Sequence, residues 1–470
     1  MRHVEMLAIC ACMLLAASSA GAQSSGPDKS LDRDFQAAVA QYDAGHFAEA
    51  AVQLERLLPS VPESFEVHEL LGLVYSAESQ DAKASEHLEK AVRLNPKSAA
   101  ARTNLAANMV RLGKAASAEE QFRKAVELEP ENFDANHNLG EAYVRSGKIA
   151  QAAPFLEKAQ RIDPSSYDNG YDLSLAYLLT GHWKEARQVV HDLLERKNTA
   201  ELHNLLAEIE EKDGNFVTAA SEFETAAHID PSESHLFDWG SELLVHRTLE
   251  PSIEVFRQAT ERYPQSSRLA VGLGMALYSL GKYDDAVVSL LRAADLSPSD
   301  ARIYPFLSRA YDSSPGQADE VIKRFRRFAE LQPRNGRALY YYAMSLWKGK
   351  RAQDPGLDLH QIESLLTKSI ELDPTLADAQ LQLGNLYSDQ SKYAEAIPHY
   401  KRSLELNSDL ADAHYRLGQA YVRTGEKDQA QQELQVYQQL RAQHLADLDR
   451  QRAEVRQFVY SAKDNAATPK

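Results

Sequence analysis

Cysteine is nearly absent from this chain: the only two, Cys10 and Cys12, fall within the first dozen residues. No disulfide framework, Cys-ligated structural zinc or thiol nucleophile can be assembled from the remainder. Glycine (21) and proline (18) together make 39 of 470 residues, too few for long disorder or a collagen-like chain. Positive charge is also short. Lys and Arg number 52 against 68 Asp and Glu, a net charge of −16. Nonspecific nucleic-acid binding needs clustered cations for the phosphates, so it is not expected. After residue 22 no apolar run reaches the about 20 residues that span a bilayer. His-Glu-x-x-His, a Walker loop and a Gly-x-Ser-x-Gly elbow are all missing. Gly272-Leu273-Gly274 opens like a dinucleotide fingerprint but lies in a helical pattern with no preceding strand. No catalytic residue, cofactor or metal is therefore expected, and the histidines read as packing residues, His68, His203 and His414 among them.

What is present is a 44% apolar chain, enough for about three domains or one long array. The N-terminus reads as an address. Arg2 and His3 precede an apolar run from Met6 to Ala17, and Ala20-Gly21-Ala22 fits the small-x-small cleavage pattern. The expectation is a signal peptide over residues 1–22, cleaved before Gln23, with a periplasmic or secreted product. Cleavage before Cys12, as in a lipoprotein, is the poorer match.

A period of 34 residues runs through most of the rest. Leu-Gly-x-x-Tyr recurs at Leu71, Leu139, Leu383 and Leu417. Alanine followed five residues later by proline recurs at Ala91, Ala125, Ala159, Ala226 and Ala293. Glycine recurs at Gly113, Gly147, Gly181, Gly214, Gly281 and Gly425. Each repeat reads as two short amphipathic helices. Leu and Tyr at i and i+4 share a face of the first, glycine supplies a left-handed C-cap, and proline stops the second. Small residues at positions 8 and 20 mark the closest approach of the pair.

This pattern closely resembles the tetratricopeptide repeat (TPR) family, over about residues 31 to 444. The resemblance implies an all-α, right-handed α-solenoid of about twelve helix-turn-helix repeats closed by a C-terminal capping helix. First helices would line a concave groove that binds protein or peptide. Nine repeats are expected over 31–335. An irregular tenth over 336–376 carries an inter-helix insertion near Lys348–Gly356, and two more occupy 377–444. The capping helix extends over 445–462, and 23–30 and 463–470 are read as flexible ends. The fifth repeat has Asn198 in place of its closing proline, and the ninth has Pro315-Gly316 in its turn.

Family groove positions 2, 5, 9, 12 and 13 direct the search for a binding site. The Lys/Asn/Arg set of the carboxylate clamp is missing. Asn104 and Asn138 occupy position 6 of the third and fourth repeats, similar to the asparagine ladder of O-GlcNAc transferase repeats. Position 2 is acidic in seven repeats, which suits the positive end of a helix. Repeats eight to ten instead have Arg268, Arg302 and Arg337, with Tyr304, Arg309, Tyr340 and Tyr341 nearby. Arginine forks and phenol rings suit a carboxylate-bearing peptide. Pairing of these arginines with acids on a neighbouring helix is the plainer reading. An acidic polysaccharide of an envelope export machine is the alternative ligand. Residues 200–262 hold fourteen acids and four bases, whereas Lys323–Arg351 holds nine bases and one acid. That asymmetry would steer a charged partner or support self-association.

Overall fold

The computed structural model describes residues 29–349 and 358–466. The signal peptide, residues 23–28, residues 350–357 of the insertion and residues 467–470 lie outside the described residues. All regular structure among the described residues is helical, and it falls into two compact segments, Met1–Asn169 and Gly170–Lys470.

In the first segment α1 (Lys29–Asp43) packs on α2 (Phe47–Leu57), α3 (Phe65–Ala77) on α4 (Asp81–Leu94), α5 (Ala99–Arg111) on α6 (Ala115–Leu128), and α7 (Phe133–Arg145) on α8 (Ile149–Ile162). Next come α9 (Tyr167–Thr180), which crosses the segment boundary, and α10 (Trp183–Leu194). In the second segment α11 (Ala200–Lys212) pairs with α12 (Phe216–Ile229), α13 (Glu233–Val245) with α14 (Leu249–Arg262), and α15 (Ser267–Ser279) with α16 (Tyr283–Leu296). Then α17 (Tyr304–Ser313) pairs with α18 (Ala318–Leu331), α19 (Gly336–Gly349) with α20 (Leu359–Leu372), α21 (Ala377–Asp389) with α22 (Tyr393–Leu406), and α23 (Ala411–Thr424) with α24 (Lys427–Ala466). The expected α-solenoid of about twelve helical hairpins is thus present. Its ends differ from expectation: Lys29 and Ser30 already belong to α1, and the C-terminal helix runs past residue 462 to Ala466. That helix also touches α12.

The local chemistry explains each hairpin. Several first helices begin at Ser, Asn or Thr: the side chains of Ser64, Ser98 and Asn132 accept the backbone N–H three residues on, at 3.3, 3.1 and 3.0 Å. They satisfy donors the helix leaves bare. The same helices end on a left-handed residue. Gly113 and Gly147 both have φ of 72°, and the next N–H turns back to Met109 and Tyr143 at 2.8 and 2.9 Å. Second helices bury residues at i, i+4 and i+7, such as Ala152, Leu156 and Ala159. Between helices the spacing is tight. A Cβ added to Gly72 would meet Leu88 at 2.5 Å, and one added to Gly140 would meet Leu156 at 2.6 Å.

Position 4 of the first helix forms a strut. Nδ1 of His203 and of His414 lies 2.5 Å from Glu222 and Glu433, each 19 residues on in the second helix. Nδ1 of His68 lies 3.0 Å from His87. The other face of this position reaches the preceding turn: His68 Nε2 lies 3.0 Å from the carbonyl of Pro62 and His414 Nε2 3.1 Å from that of Ser408. These three histidines are packing residues. Successive first helices also touch one another, α13 with α15, α15 with α17 and α17 with α19, so their side chains present one continuous face.

Candidate functional site

The candidate residues separate into four local environments. Asn104 and Asn138 lie in the first segment. Asn104 Nδ2 donates to Glu69 at 3.5 Å, and burial lifts that carboxyl from 4.5 to about 7. Asn138 is buried, and its Nδ2 donates to the carbonyl of Asp134 on its own helix at 2.7 Å. Its Nδ2 is thus engaged within α7.

In the second segment Arg268 stands in the first turn of α15. Its guanidinium lies 3.5 Å from the ring centroid of Phe237 and 3.4 Å from Asp238, both on α13. It follows the plainer expectation of pairing with a neighbouring helix.

Two candidates require correction. The register expected from Ala301 places Arg302 in a helix's first turn and Tyr304 beside the groove. Instead α17 starts at Tyr304, with Pro305 inside its first turn. Asp300 accepts the Arg302 backbone N–H at 3.0 Å and grips the guanidinium with both oxygens, at 2.9 and 2.8 Å. Arg302 is 89% exposed and held by its own turn. Tyr304 is fully buried, stacked on Phe328 at 3.8 Å, and donates to the Pro298 carbonyl at 2.7 Å. It performs the position-4 strut and is closed to ligand. Thus Arg268, Arg302 and Arg337 do not repeat one environment along the stack.

The fourth environment joins α17 and α19. Tyr340 and Tyr341 meet edge to face at 5.4 Å, and Phe325 lies 5.7 Å behind Tyr341. Burial raises both phenols above their ordinary range; Asp378 adds to the effect on Tyr340, and the charges of Arg337 and Arg309 oppose it at Tyr341. Arg309 and Arg337 are exposed, and among the described residues neither forms an ion pair. Two free guanidinium groups therefore flank a mostly buried tyrosine pair. A surface depression of about 620 Å³ lies elsewhere: it is lined by Gln332, Pro333, Arg334, Asn335, Gly336, Leu372 and Asp373, at the turn before α19.

Sequence reasoning missed one cluster. Glu211 of α11 and Glu242 and His246 at the end of α13 bring their ligand atoms within 4.8 Å of one another. The readable signal was Glu-x-x-x-His, four residues apart on one helix face.

Sequence profiles described as tetratricopeptide repeat or TPR repeat match residues 35–99, 109–167, 237–301, 144–209, 365–397, 384–425 and 412–444. Together they cover about two thirds of the chain. The chain belongs to the tetratricopeptide repeat family. No curated protein matches the chain. Among solved structures, the APC/C hetero-tetramer Cut9-Hcn1 is 18% identical, with 88% of this chain and 87% of that chain covered and a TM-score of 0.35. Yeast Tom70 is 16% identical, with 85% and 97% covered and a TM-score of 0.36. Pseudomonas aeruginosa pilF is 21% identical, with 44% and 95% covered and a TM-score of 0.40. These likenesses concern the fold. TPR proteins generally mediate protein–protein interaction, and the profiles that match this one belong to no enzyme family. No helix among the described residues is long and apolar enough to cross a membrane.

Proposed function

We propose that this TPR protein is a non-catalytic scaffold of the bacterial envelope that captures an acidic peptide segment on the first-helix face of α17 and α19. The reading is supported by Arg309 and Arg337, two exposed cations without ion-pair partners among the described residues, set against Tyr340 and Tyr341. A guanidinium fork without an ion-pair partner can donate two parallel N–H bonds to a carboxylate. Aromatic rings beside them supply apolar contact area with few rotors to immobilise. Arg268 extends the surface, and its ring and acid partners already hold it in place. Export before folding is supported by the Met6–Ala17 run and the Ala20-Gly21-Ala22 triplet.

The test is capture of acidic and neutral peptides from envelope extract by the mature protein and by the Arg309→Ala/Arg337→Ala variant. The double variant should lose about tenfold or more in affinity for acidic peptides and keep its helical spectrum. Equal capture by both proteins removes the site. Displacement by uronate-rich glycan with no peptide retained would transfer the surface to an acidic polymer. N-terminal sequencing of the exported product should begin at Gln23, and retention of residues 1–22 in a cytoplasmic product would overturn the envelope assignment.

A further inference from the structure

Position 10 of the first helix is an apolar site throughout much of this array. Val74, Ala176, Ile209, Ala276 and Ala310 occupy it, and each is fully buried. The seventh repeat places Glu242 there. Its residue is 6% exposed, and its Oε1 accepts no hydrogen bond. A carboxylate at such a place is costly without a counter-charge. Two ligand-type atoms face it. His246 Nε2 lies 3.4 Å from Glu242 Oε1 and 3.0 Å from Glu211 Oε2. Among the described residues no Lys or Arg pairs with either carboxylate. Phe216 packs against the imidazole with ring centroids 4.3 Å apart, which fixes its plane. The surrounding stretch, residues 200–262, has ten more acids than bases, so its field draws cations inward.

We infer that Glu211, Glu242 and His246 form a zinc site that clamps α11 to α13. Bonds of about 2.1 Å in a tetrahedral site place ligand atoms about 3.4 Å apart. The two separations from Nε2 match that edge with little movement. One imidazole and two carboxylates suit Zn²⁺, and water completes the fourth position. The site binds an ion; it is independent of the peptide-binding reading and of its residues.

Position 10 carries alanine in the fifth, eighth and ninth repeats, so Glu242→Ala introduces a residue the array already accommodates there and is expected to fold. The experiment titrates metal-free mature protein with ZnCl₂ alone by calorimetry, and with CoCl₂ by visible absorption. The expected result is one Zn²⁺ per chain, tighter than about 10 μM, and a tetrahedral cobalt spectrum. Glu242→Ala and His246→Gln should each weaken zinc by more than about tenfold while retaining native helicity. His203→Gln, which touches a separate histidine–glutamate pair, should bind zinc as the parent does. No stoichiometric binding, or unchanged binding in both Glu242→Ala and His246→Gln, overturns the inference.

Discussion

Replacing Gly140 by alanine tests how the helices of a hairpin fit. The new Cβ would stand 2.6 Å from both Cγ and Cδ2 of Leu156 and 3.4 Å from the Leu156 backbone nitrogen. Carbon contacts settle near about 3.8 Å, so the leucine must give by about 1 Å. Leu156 is fully buried, and its side chain has no exit to solvent. Overpacking of this kind costs about 1–3 kcal/mol. Alanine returns up to about 1 kcal/mol over glycine in a helix interior. With the full helical return, the net expectation is a loss of between about zero and 2 kcal/mol. The sign should reverse once Leu156 is truncated. Leu156→Ala alone costs about 2–5 kcal/mol, and in that background the methyl added by Gly140→Ala fills vacated space while keeping its helical advantage. The coupling between the two sites is then the overpacking cost itself, about 1–3 kcal/mol, because the helical advantage is common to both backgrounds. Urea unfolding followed by far-ultraviolet dichroism gives the free energies. Amide exchange in α7 and α8 localises them, since repeat arrays open segment by segment. Gly147→Ala is the control: its Cβ meets nothing within 4 Å, its φ is 72°, and its cost of about 1–2 kcal/mol should not depend on Leu156. If Gly140→Ala stabilises the protein equally in both backgrounds, the close-approach argument fails.

Four further outcomes follow from the same geometry. Ser79 holds the left-handed turn position with φ of 60°; Ser79→Gly should raise stability by about 0.5–1 kcal/mol, read from the urea midpoint, and no gain would refute strain there. Ser98→Ala removes the cap on Ala101 and should cost about 1 kcal/mol, with Ser98→Gly costing less in the same assay. Glu69 keeps its proton to about pH 7 in the folded chain against 4.5 otherwise, mainly through burial, with Asn104 opposing and Glu66 reinforcing. Its contribution is therefore complete below about pH 4.5 and is lost as pH rises to 7, so Glu69→Gln should help at pH 8 and not at pH 4.5; equal effects at the two pH values would refute the shift. Glu242→Ala, measured without metal, removes a buried carboxylate but also its contact with His246 at 3.4 Å, so the two effects offset and the melting temperature should stay within a few degrees of the parent's; a large loss would refute that account.

The candidate residues show where local reasoning reaches its limit. The hairpins were legible because each signal acts within a few residues. Glycine at 113, 147 and 425 adopts the left-handed turn it was expected to adopt, and alanine at 152 and 159 shares a buried face with Leu156. Capping, turn geometry and helix periodicity are short-range forces, and the 34-residue period multiplied the same signals until their register was plain. Side-chain partners between repeats were not legible. Arg268 and Asp238 are 30 residues apart, and Glu211 and His246 are 35 apart. Those pairings depend on how one hairpin rotates upon the next, which the packing of whole helix faces decides. At the ninth repeat the helix starts at Tyr304 beside Pro305, which put a tyrosine into the core and left Arg302 in a turn. The chain's own letters determined about twelve helical hairpins; only their mutual packing determined that, among the described residues, Arg309 and Arg337 form no ion pair while Glu242 is shut in with a histidine and a second acid.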